Sequence, residues 1–165
     1  MTAKMKTPKR GEIEGIRRIP LSLHTDDRGS LVEIARRSGA PGDHSVVDEF
    51  GQVYLVESPA RGTIRGFHRH RDLWDFFFVS VGSAKVILVD DREGSRTQHT
   101  LQEVVLSRLA PQLLVIPPGI YHGWMSLEDH TQLVSVASEP YDRENPDEER
   151  IPPDTYGDVW TVRGR

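Results

Sequence analysis

Gly62-Thr63-Ile64-Arg65-Gly66-Phe67-His68-Arg69-His70, followed by Asp75 and closed by Gly82, is the stretch that decides the fold. His68 and His70 are separated by one residue. Side chains of an extended strand alternate faces with a period of two, so the two imidazoles point to one side. A second stretch, Pro117-Pro118-Gly119-Ile120-Tyr121-His122, brings one more histidine just after a tight turn. Three histidines and a carboxylate drawn from such distant segments converge only where a β-barrel folds the segments together.

The sequence around these stretches has the punctuation of a barrel. Ile13 to Leu23 alternates and reads as a first strand, and Asp26-Asp27-Arg28-Gly29 is turn chemistry: Asp bonds its own backbone and Gly supplies positive φ. Further strands are expected over Ser30 to Ala35, Val53 to Glu57, Thr63 to His70, Trp74 to Val81 and Ala84 to Val89. Gly82-Ser83 is a compact hairpin turn between two of them. Thr97 to Leu106, Leu113 to Ile116, His122 to Leu127 and Gln132 to Ser138 continue the series, and Ser38 to Asp43 is a Gly/Pro-rich loop. Sustained helical spacing is missing, with Gln102 to Leu109 the one ambiguous window. Short strands at this spacing indicate an all-β sandwich or barrel. Residues 1–11 are polar and basic and are expected to be disordered. Residues 12–165 form one domain whose tail, from Tyr141 on, is Pro- and acid-rich and loop-like, with Asp158 to Val162 as a last short strand.

Bulk properties narrow the function. The 165 residues suit one domain with a real core. A net charge of −4 and a pI near 6.0 argue against a generic nucleic-acid binder. Cysteine is absent, which excludes a disulfide framework and thiolate chemistry. No apolar run approaches the roughly 18 residues of a membrane-spanning helix, and the basic start lacks the apolar middle of a secretion signal, so the expected location is cytoplasmic. Imidazole nitrogens and carboxylate oxygens are the usual ligands of Zn, Fe, Ni or Mn, which makes His68, His70, Asp75 and His122 a candidate set for a divalent metal. The bland alternative is that seven histidines produce a His-x-His pair by chance.

The pattern Gly62-x5-His68-x-His70-x4-Asp75-x6-Gly82, with Pro117-x-Gly119-x2-His122, resembles the two motifs of the cupin superfamily, with Asp75 where Glu is usual and Ser126 where Asn is usual. A narrower likeness runs from about residue 20 to 158. Asp27-Arg28-Gly29-x-Leu31-x-Glu33, Gln52, Gly62-x2-Arg65-Gly66-Phe67-His68, Ile116-Pro117-x-Gly119-x2-His122-Gly123 and Tyr141-Asp142 through Ile151-x2-Asp154 resemble the dTDP-4-dehydrorhamnose 3,5-epimerase family. The resemblance implies a homodimeric jelly-roll cupin that works without a metal on a nucleotide-linked 4-keto-6-deoxy sugar. A C–H beside a ketone is weakly acidic, so a positioned base must remove its proton while a cation or donor stabilises the enolate oxygen. The resemblance assigns the base to His68, oriented by Asp154, with His122 near the ketone or the base. It assigns Arg28, Glu33, Gln52 and Arg65 to sugar and diphosphate; Tyr141, a further candidate for substrate binding, either stacks on a nucleotide base or caps the barrel.

Departures from the family pattern matter equally. Where the family has an enolate-stabilising Lys, this chain has Asp75; where it has a proton-returning Tyr, this chain has Ser135; and the residue two after the base, usually Gln, is His70. Three readings follow. The first is a nucleotide-sugar 3- or 3,5-epimerase or isomerase of deoxysugar or polysaccharide synthesis, without cofactor. The second is a metal-dependent cupin isomerase or dioxygenase using His68, His70, Asp75 and His122. The third is a non-catalytic sugar-nucleotide-binding cupin. The expected partners are the nucleotide sugar and a second copy of the chain, with neither nucleic acid nor membrane.

Overall fold

A computed structural model describes residues 7–37 and 50–164. They form an all-β sandwich of jelly-roll type, and no helix among them is long and apolar enough to cross a membrane. The strands are β1 (Lys9–Arg10), β2 (Arg17–Pro20), β3 (Leu23–Asp26), β4 (Gly29–Val32), β5 (Gln52–Ser58), β6 (Ile64–Arg69) and β7 (Asp75–Val81). They continue as β8 (Ser83–Asp90), β9 (Thr100–Ser107), β10 (Gln112–Ile116), β11 (Ile120–Ser126), β12 (Thr131–Ala137) and β13 (Glu149–Arg150). One sheet has the order β1-β9-β8-β11-β6-β13 and the other β2-β10-β7-β12-β5, while β3 and β4 make a separate hairpin.

The core lies between the two sheets. Ala84, Val86 and Leu88 of β8 and Trp124 of β11 meet Phe77 and Val79 of β7, Leu114 and Ile116 of β10 and Leu133 of β12. Alternate residues of the same strands feed two further apolar layers. Phe76, Phe78, Leu113, Val115 and Val136 lie on the outer face of the five-stranded sheet, under Leu21, Val32 and Ile34. Phe67, Ile87, Val89, Tyr121 and Met125 lie outside the six-stranded sheet, under Tyr156, Val159 and Trp160. Both faces of β7, β8 and β10 are therefore covered, which is why these strands read as near-continuous apolar runs rather than alternations.

Several expected boundaries move. Lys9 and Arg10 pair in parallel with Thr100 and Leu101, so order begins inside the segment expected to be disordered. The expected first strand, Ile13 to Leu23, is split: β2 ends at Pro20, whose nitrogen cannot donate to a ladder, and Leu23 opens the next hairpin. The Asp26 to Gly29 turn forms as read, with the Asp26 carboxylate accepting the Arg28 N–H at 2.9 Å. Asp158 to Val162 is not a strand. Val159 and Trp160 are held by burial against Phe67, and the edge of β6 is taken by β13 instead. The Ser38 to Asp43 loop lies outside the described residues.

The pairing of β6 with β11 sets the geometry that matters for function. His68 stands opposite His122, Gly66 opposite Gly123 and Arg65 opposite Trp124, with a bulge between the first two pairs. The extra residue is Phe67, which turns outward and is fully buried. The bulge puts Arg65 and His68 on one side of β6 although they are three residues apart. It needs glycine on both strands: a Cβ at Gly66 would lie 2.6 Å from the Cα of Gly123.

Candidate functional site

A cavity of about 500 Å³ opens at one end of the sandwich, lined by Gln52, Tyr54, His68, His70, Asp75, Tyr141, Glu148 and Arg150 among others. Pairing of β6 with β11 and β13 places His68 on the six-stranded sheet. Its Nδ1 lies 2.9 Å from Glu148 Oε1. An ionised carboxylate only accepts, so Nδ1 carries the proton and the Nε2 lone pair is left free. Partial burial lowers the His68 pKa below the ordinary imidazole value; Glu148 opposes this, and His122, Arg150 and His70 add to the lowering. His68 is thus neutral at neutral pH, the state a proton acceptor requires.

Next to it lies a separate group. His70 Nε2 is 3.1 Å and His122 Nε2 3.2 Å from the same oxygen, Asp75 Oδ2. Asp75 and His122 are buried, and the Asp75 Oδ1 accepts a hydrogen bond from Ser135 Oγ at 3.2 Å. On their other sides both imidazoles meet backbone carbonyls: His122 Nδ1 bonds Ile120 O at 3.0 Å and His70 Nδ1 bonds Asp147 O. Carbonyls accept only, so each Nδ1 carries hydrogen. With Asp75 ionised, an Nε2 lone pair facing it would be repelled, so the contact favours a proton on His70 Nε2 as well. Burial alone would raise the Asp75 pKa, yet the His122 and His70 imidazoles outweigh it and hold the carboxyl well below the usual range. Burial would lower the His70 pKa, but Asp75 and the Asp147 carbonyl outweigh that and raise it. The two imidazoles thus flank the Asp75 carboxylate beside the neutral His68.

The same three residues could hold a divalent cation, since their ligand atoms all lie within 4.8 Å of one another. His68 is not part of that set: its Nδ1 is committed to Glu148, and its ring centroid is 6.4 Å from that of His122. The four-ligand site expected from the sequence thus divides into a His68–Glu148 pair and a His70–Asp75–His122 group.

Of the expected substrate-binding residues, Gln52 and Tyr141 line the cavity, and Gln52 Oε1 accepts the Tyr141 N–H at 3.0 Å. Arg65 turns away from the lining to reach Glu57 O at 3.1 Å and Ser58 Oγ at 3.3 Å. Arg28 and Glu33 are exposed outside the cavity, paired with Asp26 and Arg36. Asp154 is also exposed and does not orient His68 in this arrangement; Glu148 stands in that place. Glu148 escaped notice because the acidic run from Asp147 to Glu149 reads as a solvated loop, and a two-residue strand such as β13 leaves no periodic signal. Its neighbour Asp147 explains why the run is rigid: the Asp147 carboxylate accepts the backbone N–H groups of Arg71, Asp72 and Leu73 at 2.8, 2.9 and 3.0 Å.

Comparison with known proteins agrees with this architecture. The spore coat polysaccharide biosynthesis protein SpsL of Bacillus subtilis is 34% identical over 156 residues, covering 93% of this chain and 99% of that protein. A probable low-salt glycan biosynthesis epimerase, Agl13 of Haloferax volcanii, is 35% identical over 136 residues, covering 81% and 84% of the two chains. Among solved structures, a dTDP sugar isomerase from Desulfovibrio desulfuricans superposes with a TM-score of 0.77 at 27% identity, covering 90% of this chain and 92% of that one. The family model described as dTDP-4-dehydrorhamnose 3,5-epimerase matches residues 10–156, nearly the whole described chain, and the chain belongs to that family.

Proposed function

We propose that the cavity takes a nucleotide-linked 4-keto-6-deoxy sugar and that His68 removes a proton from a carbon beside the ketone, as a 3- or 3,5-epimerase. The observation that carries this reading is the division of labour between neighbouring imidazoles. His68, held through Nδ1 by Glu148, keeps a free lone pair on Nε2, while His70 and His122 both turn Nε2 to the Asp75 carboxylate. A base and an electrophile side by side are what enolisation requires. His70, whose pKa the Asp75 carboxylate and the Asp147 carbonyl raise against the effect of burial, supplies the charge that the family's lysine would supply at the position of Asp75. Arg71 and Arg150 at the cavity wall suit a diphosphate, and Tyr141 suits a nucleotide base. The experiment is NMR-monitored conversion of a dTDP-4-keto-6-deoxy sugar in D2O, which should show deuterium entering next to the ketone and an inverted centre.

The convergence of His70, Asp75 and His122 on one point also favours a second reading, in which a divalent cation replaces the two Nε2 protons and polarises the ketone. Exhaustive chelation separates the two. Protein stripped of metal, verified by elemental analysis, should keep its full exchange rate if protons fill the cluster. Loss of exchange that returns with one equivalent of Zn²⁺ or Mn²⁺ would establish the cation reading instead.

The partner is a second copy of the chain. Among the described residues β5 is an edge of its sheet, paired there with β12 alone, and it carries Val53 and Leu55 exposed on the outer face. An unpaired edge with an apolar flank is a surface that soluble proteins cover. Sedimentation at micromolar concentration should give about twice the 18.7 kDa chain mass, and joint Val53→Glu and Leu55→Glu substitution should give the single chain. A monomeric parent protein would dismiss the dimer.

A further inference from the structure

Inversion at a carbon needs two proton-handling groups, one on each face of the planar enolate; a base alone only exchanges the proton and restores the starting centre. His68 stands on β6, in the six-stranded sheet. The second group must come from the opposite wall, must still hold a proton at neutral pH and must be reachable by a ligand. Ser135 of β12 is on that wall, but it is 0% exposed and its hydroxyl is engaged with Asp75. Asp75 is equally sealed. Tyr54 meets all three conditions. It lies on β5, directly across the ladder from Ser135, so the two side chains share the inner face. It lines the same cavity as His68 and is 42% exposed. Its phenol lies beside the Ser135 hydroxyl, and burial together with the Asp75 charge raises its pKa, which keeps the proton on.

We propose that Tyr54 is the acid that delivers a proton to the enolate from the face opposite His68. This inference rests on the epimerase reading above. In the forward step His68 Nε2 takes the proton from the carbon beside the ketone, the C–H electrons form the enolate double bond, and negative charge moves to the oxygen beside the His70–Asp75–His122 group. The enolate then collapses, its carbon takes the Tyr54 O–H proton from the other side, and a phenolate and an imidazolium remain. Water returns a proton to the first and removes one from the second, so the enzyme is restored with no net proton change.

Tyr54→Phe keeps the ring and removes the proton. With a dTDP-4-keto-6-deoxy sugar in D2O, this variant should still wash deuterium into the position beside the ketone within a few-fold of the parent rate, because His68 reaches solvent and can return what it removes. Formation of the inverted sugar should fall by roughly 10²- to 10⁴-fold, the usual worth of a positioned acid. Inverted product within a few-fold of the parent would overturn the assignment. So would loss of exchange and inversion together in a variant with the parent's circular dichroism, since the phenol would then serve binding or the first step. Loss of inversion in Tyr141→Phe but not in Tyr54→Phe would move the role to Tyr141. Absence of exchange in the parent protein is a different result and strikes the epimerase reading itself.

Discussion

In His68→Ala, deuterium uptake beside the ketone is expected to fall by roughly 10²- to 10⁴-fold, with the fold and thermal stability kept. Among the described residues no other imidazole at the cavity is both accessible and uncommitted: His122 is buried, and His70 is engaged with Asp75 and the Asp147 carbonyl. Two companion variants locate the orienting carboxylate. Glu148→Gln should lose activity, though less than His68→Ala, whereas Asp154→Asn should stay within about threefold of the parent, because Asp154 is exposed and Glu148 is the carboxylate at His68 Nδ1. The pH profile adds a readout that a purely structural role would not move. His68 works as a base only when neutral, and its lowered pKa places the acidic limb of kcat/KM below about 6.5. The Glu148 charge favours protonated His68, so removing it should shift that limb to still lower pH. A Glu148→Gln profile that does not shift, together with an inactive Asp154→Asn, would return the orienting role to Asp154. Unchanged exchange in His68→Ala would end the proton-transfer account.

The sandwich was legible because its strands are short, separated by turns with definite chemistry, and too apolar on β7, β8 and β10 to lie anywhere but inside. The meeting of His68 with His122 was legible too, since strand parity puts His68 and His70 on one face and a turn precedes His122. Three features were not. The bulge at Phe67 depends on the approach of Gly66 to Gly123, a contact between strands far apart in sequence. Glu148 reaches His68 through a two-residue strand whose place is fixed by the Asp147 carboxylate capping three amides, and no local periodicity encodes that. Tyr54 sits in a strand that reads as ordinary β, and its nearness to the site exists only through the β5–β12 register opposite Ser135. In each case the missing information is which strands pair, and at what register, whereas the residue types themselves were plain.

Asp75→Ala should be the most damaging single change to stability. The carboxylate is buried, and it lies between two imidazoles whose other nitrogens face backbone carbonyls. Its removal leaves those rings facing each other across a void, with protonated His70 lacking its counter-charge. Removing one member of a buried ion pair costs about 3–5 kcal/mol. For a chain of this size that is a fall in Tm of roughly 6–20 °C. The effect should depend on pH in a definite direction. Asp75 has a depressed pKa in the folded state, so its contribution is present above the unfolded carboxylate value near 3.9 and fades as pH falls through the folded value. His70 has a raised pKa, so its contribution is complete below the unfolded imidazole value of about 6.5 and is lost as pH rises through the folded one. The gap in Tm between parent and variant should therefore be widest between about pH 4 and 6.5 and should narrow on the alkaline side. Asp75→Asn, which keeps the shape and can still accept one hydrogen bond, should lose less stability. Its enolisation rate should nevertheless drop, because a neutral amide no longer holds the second proton on both imidazoles. A Tm within about 2 °C of the parent for Asp75→Ala at pH 6 would show that the cluster is not a buried charge system, and the electrophile would have to be sought elsewhere in the cavity.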